Sequence, residues 1–463
     1  MDNGDQARAG NTAEHRAEMT NPPGLLLTDL YQLNMMQAYE EAGMTETAVF
    51  ELFVRKLPAT RNFLVAAGLE QVVAFLEAAA FTEEELAWLQ ASGRFSPAFL
   101  DRLSRFRFTG DVDALAEGEI LFPNEPLLRV SAPLPQGQLV ETRLMNLMHF
   151  QTVIASKAAR LRLAAGDKRL IDFGLRRAHG AEAGLLAARA SYLAGFDGTA
   201  TVEAGRRYGI PISGTMAHSF IQAHDDEVEA FRHFARARPD SLVLLLDTYD
   251  TEAAAAKLVA LAPDLTAEGI TLRGVRLDSG DLGAHARKVR AILDAGGLAE
   301  VQIFASGGLD EWELARLRDS QAPIDGFGIG TGLTTSQDAP ALDCAYKLQE
   351  YAGRPKRKLS EGKATWPGRK QVYRSFDAAG RPRGDVLTLI DDRREGTALL
   401  KPVMRGGRCI APLPGLDEAR AATLERLAKL PPDLAAMEQA APYPVTISEQ
   451  LKALALKAAP PHP

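Results

Sequence analysis

The sequence predicts an α/β protein: an irregular parallel β/α barrel flanked by a mixed α+β domain built from the N- and C-terminal segments. Three observations predict it. Between Arg169 and Thr335, apolar strand-like runs alternate with helix-like segments at intervals of roughly 20–35 residues, as successive parallel βα units require. The runs break off into polar clusters just before helix-like segments, and parallel β/α folds carry their working side chains at the C-terminal ends of strands. On either side of this region the text changes to alternating Val/Phe runs, hairpin-like turns and separate amphipathic helices. A doubly wound open sheet is the rival to a barrel, because periodicity separates the two poorly.

Residues 1–21 are polar and mixed in charge and read as a disordered tail. Asp2, Asp5, Glu14 and Glu18 speak against a transit peptide, and no apolar signal core is present. Pro22-Pro23 then opens the folded part. Thr28 or Asp29 caps a helix in which Leu30, Leu33, Met36, Ala38 and Tyr39 repeat at helical spacing. "TAVFELFVRKLP" alternates as a strand does and ends at Pro58. Three helices follow, two of them capped by Thr82 and Ser96, and the text from Thr109 to Arg129 turns β-like. "LVETRLMNLMHFQTVIASKAARLRLAAG" is one or two amphipathic helices leading into the barrel. Barrel helices are expected over 182–193, 219–235, 252–262, 282–295 and 311–318. After Tyr351 come a basic hairpin-like stretch, antiparallel strands in "GDVLTLIDD" and "TALLKPVMRGG", and two helices. The resulting division is an N-terminal α+β part at 22–145 packing with 350–455, a catalytic barrel at 146–349, and a tail at 456–463.

The chain has 463 residues, 46% of them hydrophobic and 24% charged, enough for two domains. A net charge of −7 argues against a nucleic-acid-coating surface. Two cysteines, Cys344 and Cys409, make neither a disulfide framework nor a cysteine-rich metal site, which points to a reducing, cytoplasmic setting. No apolar segment is long enough to span a bilayer, so no membrane partner is expected.

The strand-end clusters carry the chemistry. Ser306-Gly307-Gly308 and Gly328-Ile329-Gly330-Thr331-Gly332 follow adjacent apolar runs. Paired glycine-rich turns after the last strands of a barrel make a phosphate cradle, since backbone N–H groups approach the oxygens closely without Cβ atoms; taken singly, each is a tight turn. Arg276 and Asp278, two apart, share one face of a strand and suit an anionic group and a sugar diol, or a structural ion pair. Asp281 caps the next helix. Phe173 and Arg176 flank a turn where an aromatic can stack on a flat ring and an arginine can pair with an anion. His218, at the end of "IPISGTMAHSF", suits a general acid/base, a nucleophile towards phosphoryl groups or a cap. Asp247 and Asp250 follow "LVLLL"; such carboxylates can hold Mg²⁺ beside a pyrophosphate, and Asp250 also reads as a helix cap.

Together these motifs resemble the nicotinate phosphoribosyltransferase family. The resemblance starts at "TDLYQLNMMQAY" and "FELFVRKLP". It runs through "DFGLRRAHG", "GFDGTATVEAGRRYGIPISGTMAHSF", "LLLDTYDT", "GVRLDSGDL" and "FASGGLDE" to "DGFGIGTGLTTSQDAPALDCAYKLQEY". It implies conversion of nicotinate and phosphoribosyl pyrophosphate to nicotinate mononucleotide and pyrophosphate, coupled to ATP hydrolysis. It further implies Mg²⁺, a type II phosphoribosyltransferase barrel and a homodimer with shared active sites. By the resemblance, Ser306, Gly307, Gly308, Gly330 and Thr331 hold the 5′-phosphate and Asp278 the ribose hydroxyls. Phe173 stacks on the pyridine ring, with Tyr31 of a neighbouring subunit on its other face. Arg276 and Arg176 supply positive charge, Thr215 lies with the base, and His218 takes a phosphoryl group from ATP. Related nicotinamide enzymes carry an aspartate where this chain has Ala200, which favours a carboxylate substrate over an amide. Nicotinamide transfer is the alternative. A sugar-phosphate lyase or isomerase is disfavoured because no lysine ends a strand, and quinolinate enzymes are much shorter.

Overall fold

The computed structural model describes residues 24–359 and 365–458. The chain divides into two compact units, one formed by the described residues up to Ser156 together with Ala341 onward, the other by Lys157–Pro340.

The second unit is the barrel. Its six strands are β1 (Arg169–Asp172), β2 (Gly198–Thr199), β3 (Leu242–Leu245), β4 (Leu272–Leu277), β5 (Gln302–Ser306) and β6 (Gly326–Ile329). They lie in the order β2-β1-β6-β5-β4-β3, and every pairing is parallel. First and last strands pair, Gly326 opposite Arg169 and Ile329 opposite Asp172. That pairing marks a curled, barrel-like sheet rather than a doubly wound one, as the sequence predicts. The hydrogen-bonded ring is open between β2 and β3.

The sequence places a strand in "IPISG" here. The structure keeps one parallel bridge, Thr199 to Ile212, with Ser213 donating to the Thr199 carbonyl at 2.9 Å and Thr199 donating to the Pro211 carbonyl at 3.0 Å. Pro211 has no N–H to extend a ladder and Gly214 follows closely, so the run stays extended without becoming a strand. The helix expected over 219–235 is two helices, His218–Gln222 and Glu227–Ala237. The first ends at Gln222, and Asp226 caps the second by accepting from the Val228 N–H at 3.1 Å. The helix expected to end at Ala262 continues over Thr251–Ala267, past Pro263, with Leu258, Leu261 and Leu265 keeping one buried face.

The core of this unit holds Leu244, Leu245, Val275, Leu277, Ile303 and Ala305, all buried on strands. It also holds charge. Lys157 reaches Asp338 at 2.8 Å and pairs with Glu311, which Arg160 also meets at 3.1 Å. Burial pushes the Glu311 carboxyl up, but Lys157 more than offsets this and holds it below the ordinary glutamate value.

In the first unit a seven-stranded antiparallel sheet contains Thr47–Val54, which pairs with the central strand Pro126–Pro133 on one side and Cys344–Tyr351 on the other. Residues 146–156 and 341–349, assigned to the barrel from sequence, belong to this unit. A four-stranded sheet contains Lys370–Phe376 and Pro382–Leu389, whereas Lys401–Arg405 joins the larger sheet. Thr82 forms a capping box with Glu85 and Ser96 accepts from the Phe99 N–H. Asp29 precedes the helix Leu30–Glu41 but makes no side-chain cap; its carboxylate instead accepts from the Thr142 hydroxyl at 2.8 Å. The helix Glu449–Lys457 runs into the stretch expected to be a tail from 456; residues 1–21 and 459–463 lie outside the described residues. Among the described residues no helix is long and apolar enough to cross a membrane.

Candidate active site

The C-terminal tips of β4, β5 and β6 converge. At the tip of β5, Gly307 and Gly308 adopt φ of +94° and +65°. A Cβ on Gly307 would stand 2.0 Å from the Asp278 carbonyl oxygen, so only glycine lets this turn press against the end of β4. The Ser306 hydroxyl donates to the Asp278 carboxylate. These residues, with Gly330, Thr331, Phe173 and Arg176, line one cavity of about 290 Å³. The sequence-predicted phosphate residues are thus brought together. Arg177, Asp310 and Gln337 also line this cavity; the glycine-turn signal does not extend to Asp310 or Gln337.

The Phe173 ring is laid on glycine. A Cβ on Gly328 would sit 2.4 Å from the ring, so β6 supplies a flat floor for it. Buried Asp172 fixes the turn, its carboxylate accepting the Gly174 N–H at 2.8 Å and the Thr199 hydroxyl at 2.7 Å. Burial pushes the Asp172 carboxyl up, and the bonds from Thr199 and Gly174 work against that rise. Beyond Phe173 and Gly328 lies a second cavity of about 320 Å³ inside the barrel, lined by Thr215 and Arg276 among others. The two cavities share Phe173 and Gly328. The Arg276 guanidinium stands 6.0 Å over the Phe173 ring and donates to the Met216 carbonyl at 2.8 Å. Its buried Nε–H has no protein partner. Burial pushes the guanidinium down from its ordinary value, while Asp278 and Asp247 pull it back up. An arginine remains cationic under such a shift.

His218 opens the short helix His218–Gln222 instead of ending a strand. Its Nε2 is 3.8 Å from the Asp278 carboxylate and its Nδ1 is 3.1 Å from the Thr248 hydroxyl. Asp247 accepts the Asp278 N–H at 2.9 Å and the Ser279 hydroxyl at 2.5 Å through one oxygen; the other oxygen is buried without a protein partner. Asp250 and Asp281 cap their helices, accepting from Ala253 and Ala284. Thr248 was not singled out from sequence, and its place between Asp247 and a tyrosine at a strand end was the available signal. Ala200 donates its N–H to the Asp172 carbonyl at 2.8 Å, one residue before Phe173, and lines neither cavity. Tyr31 belongs to the other unit and is 46% exposed.

Comparison with known proteins shows the family. Family models described as the nicotinate phosphoribosyltransferase N-terminal domain, the nicotinate phosphoribosyltransferase family and its C-terminal domain match residues 26–149, 168–362 and 394–455. The chain belongs to the nicotinate phosphoribosyltransferase family. The pncB2 nicotinate phosphoribosyltransferase of Mycobacterium tuberculosis is 49% identical over 430 residues, covering 92% of each chain. The Bacillus subtilis nicotinate phosphoribosyltransferase is 41% identical over 377 residues, 80% of this chain and 76% of that one. The crystal structure of human nicotinic acid phosphoribosyltransferase superposes with a TM-score of 0.84 at 33% identity, covering 94% of this chain and all of that one. The activity is phosphoribosyl transfer to nicotinate, in NAD salvage.

Among the described residues no group of three or more His, Cys, Asp or Glu side chains forms a metal cluster. A Mg²⁺ ion carried by a polyphosphate needs less, one or two carboxylates with water and phosphate completing its shell. The orphaned Asp247 oxygen fits that need.

Proposed function

We propose that the transfer is carried out at the junction of these two cavities, with ATP as co-substrate acting through a phosphohistidine at His218. One observation carries the reading: a single carboxylate, Asp278, is bonded to Ser306 of the phosphate turn and lies 3.8 Å from His218. Polyanion, sugar and nucleophilic histidine thereby meet within one side chain's reach.

The reaction breaks the C1–O bond to pyrophosphate and forms a C1–N bond to the pyridine nitrogen. Positive charge grows on the sugar while negative charge leaves with pyrophosphate, so positioning and preorganised charge do most of the work. The Ser306–Gly308 turn, Gly330 and Thr331 hold the 5′-phosphate, and Asp278 holds the ribose hydroxyls. Phe173 supports the pyridine ring on the Gly328 floor. The Arg276 Nε–H supplies the unspent donor for the nicotinate carboxylate, with Thr215 in the same cavity and Arg176 adding charge on the phosphate side. Ala200, whose N–H bonds to the Asp172 carbonyl, puts no carboxylate near the base, which favours nicotinate over nicotinamide. His218 takes the γ-phosphoryl group of ATP and passes it to water after transfer. Mg²⁺ held through Asp247 would neutralise charge on the pyrophosphate. In a homodimer, Tyr31 of a second copy would close the other face of the base. A cytoplasmic location suits these substrates and the two unpaired cysteines.

The test is direct. Purified protein is incubated with phosphoribosyl pyrophosphate, Mg²⁺ and nicotinate, nicotinamide or quinolinate, with and without ATP. Nicotinate mononucleotide formation stimulated by ATP is expected; an equal rate with and without ATP removes the phosphohistidine assignment. Mixing Tyr31→Ala with an Arg276→Ala variant should restore activity through hybrid dimers, and no restoration removes the shared site.

A further inference from the structure

Two walls of the phosphate cavity are tied to one buried lysine. Asp310 and Gln337 line that cavity, and each is followed in sequence by an acid, Glu311 and Asp338. Both acids turn to the same ammonium group. Lys157 pairs with Glu311 and reaches Asp338 at 2.8 Å. Arg160, one turn further along the helix that carries Lys157, holds the other Glu311 oxygen at 3.1 Å. Lys157, Arg160 and Glu311 are buried, and all four residues belong to the barrel unit.

Each tie fixes a wall. Glu311 is the first residue of the helix Glu311–Asp319. The Asp310 carboxylate caps that helix, accepting the Trp312 and Glu313 N–H groups at 3.0 and 2.9 Å. Anchoring Glu311 therefore anchors Asp310 and the end of the Ser306–Gly308 turn. On the other wall, Ser336 takes a left-handed backbone, φ +41°, and its hydroxyl donates to the Ala339 carbonyl at 2.9 Å. A residue other than glycine is strained there and stays so only where its surroundings over-determine it. Gln337 and Asp338 lie inside that turn, and the bond from Asp338 to Lys157 pins it.

Stability alone does not explain the cluster, because apolar side chains of similar volume fill a buried space at least as well as an ion pair. Nor does attraction for phosphate, because two cations and two carboxylates cancel at a distance. What the cluster supplies is position. Glu311 and Asp338 repel each other, so without the ammonium between them the two walls are pushed apart.

We propose that Lys157 is a positioning residue for the phosphate cradle: it touches no substrate and sets the spacing of the two walls through Glu311 and Asp338. The inference rests on the proposed placement of the 5′-phosphate.

The test is to cut the ties one at a time. Lys157→Met, which keeps the length of the side chain and loses its charge, is expected to raise KM for phosphoribosyl pyrophosphate about tenfold or more. KM for nicotinate and kcat at saturation should stay within about threefold of wild type. Asp338→Asn, at an exposed position, severs one tie and spares the buried pair. It should raise the same KM about three- to fivefold, and it carries the test if Lys157→Met does not fold. Inorganic phosphate titrated into each protein by calorimetry should bind more weakly in the same order. Folded variants whose phosphate affinity and KM for phosphoribosyl pyrophosphate stay within about twofold of wild type would overturn the positioning role. A loss confined to kcat would overturn it as well. Wild-type protein that makes no nicotinate mononucleotide would instead overturn the functional reading, and the phosphate titration would still decide the role of Lys157.

Discussion

Two arginines, one in each unit, Arg374 fully buried and Arg276 half-buried, divide the molecule by purpose. Arg374, 1% exposed, spends its donors inside the protein: Nε and Nη2 on Asp385 at 3.0 and 2.6 Å, and Nη1 on Glu119 at 2.8 Å. Burial works against its charge, but the Asp385 bonds and charge prevail and push the guanidinium up. Neighbouring Glu125 is driven the other way: burial and Asp385 push its carboxyl well up, relieving the crowding of acids. Arg276 makes one bond to a carbonyl and keeps its Nε–H buried and unspent, and burial pushes it down. A buried polar group without a partner costs free energy. It persists where a substrate completes it. The contrast separates an arginine whose donors are used within the protein from one that keeps a donor in reserve, the donor assigned above to the nicotinate carboxylate.

The largest effect should come from breaking the satisfied cluster. Arg374→Ala leaves Asp385 buried without its cation, while Glu119 keeps Arg426 at 3.0 Å, and should cost about 3–5 kcal/mol of stability, read by denaturant unfolding. A loss below about 1 kcal/mol would break the comparison. Arg276→Ala should do the reverse, lowering kcat/KM for nicotinate by roughly 10²- to 10³-fold, or about 3–4 kcal/mol in transition-state binding, while the unfolding midpoint barely moves. His218→Ala should abolish stimulation by ATP and leave slow transfer, measured as mononucleotide formed with and without ATP.

Two smaller effects sharpen the picture. Glu311 has its folded-state value depressed, so its contribution is present above the unfolded glutamate value and is lost as pH falls through the folded one. Glu311→Gln should therefore remove part of the stability at neutral pH and flatten its fall below about pH 4, measured by urea unfolding across pH. Thr248→Val, which keeps the shape beside His218 but not the hydroxyl, should weaken ATP stimulation severalfold, about 1 kcal/mol, and Thr248→Ser should keep it.

Much of the site was legible because parallel folds gather chemistry at strand ends, where Arg276, Asp278, Ser306 and Gly330 are found. Less was legible where the cue was short or the partner distant. β2 has two residues, Gly198 and Thr199, too few to show a period, and it exists because β1 offers an edge. The strand Cys344–Tyr351 lies mostly in the stretch assigned to the barrel from sequence, yet it pairs with Thr47–Val54, far away in the chain, and residue order carries no address for such a partner. Thr248 offered only its place beside Asp247 at a strand end, since a hydroxyl gains meaning from the imidazole set 3.1 Å away.

The sequence by itself determined the alternation of strands and helices, the glycines that allow close turns, and the family to which the chain belongs. Each is written in local residue order, as period, backbone freedom or motif. Only the tertiary structure decided that Asp278 joins the phosphate turn to His218, that Gly328 is the floor beneath Phe173, and that the barrel centre is hollow. Those are distances between segments remote in sequence, set when β6 closes against β1 and the strand tips are forced into one place.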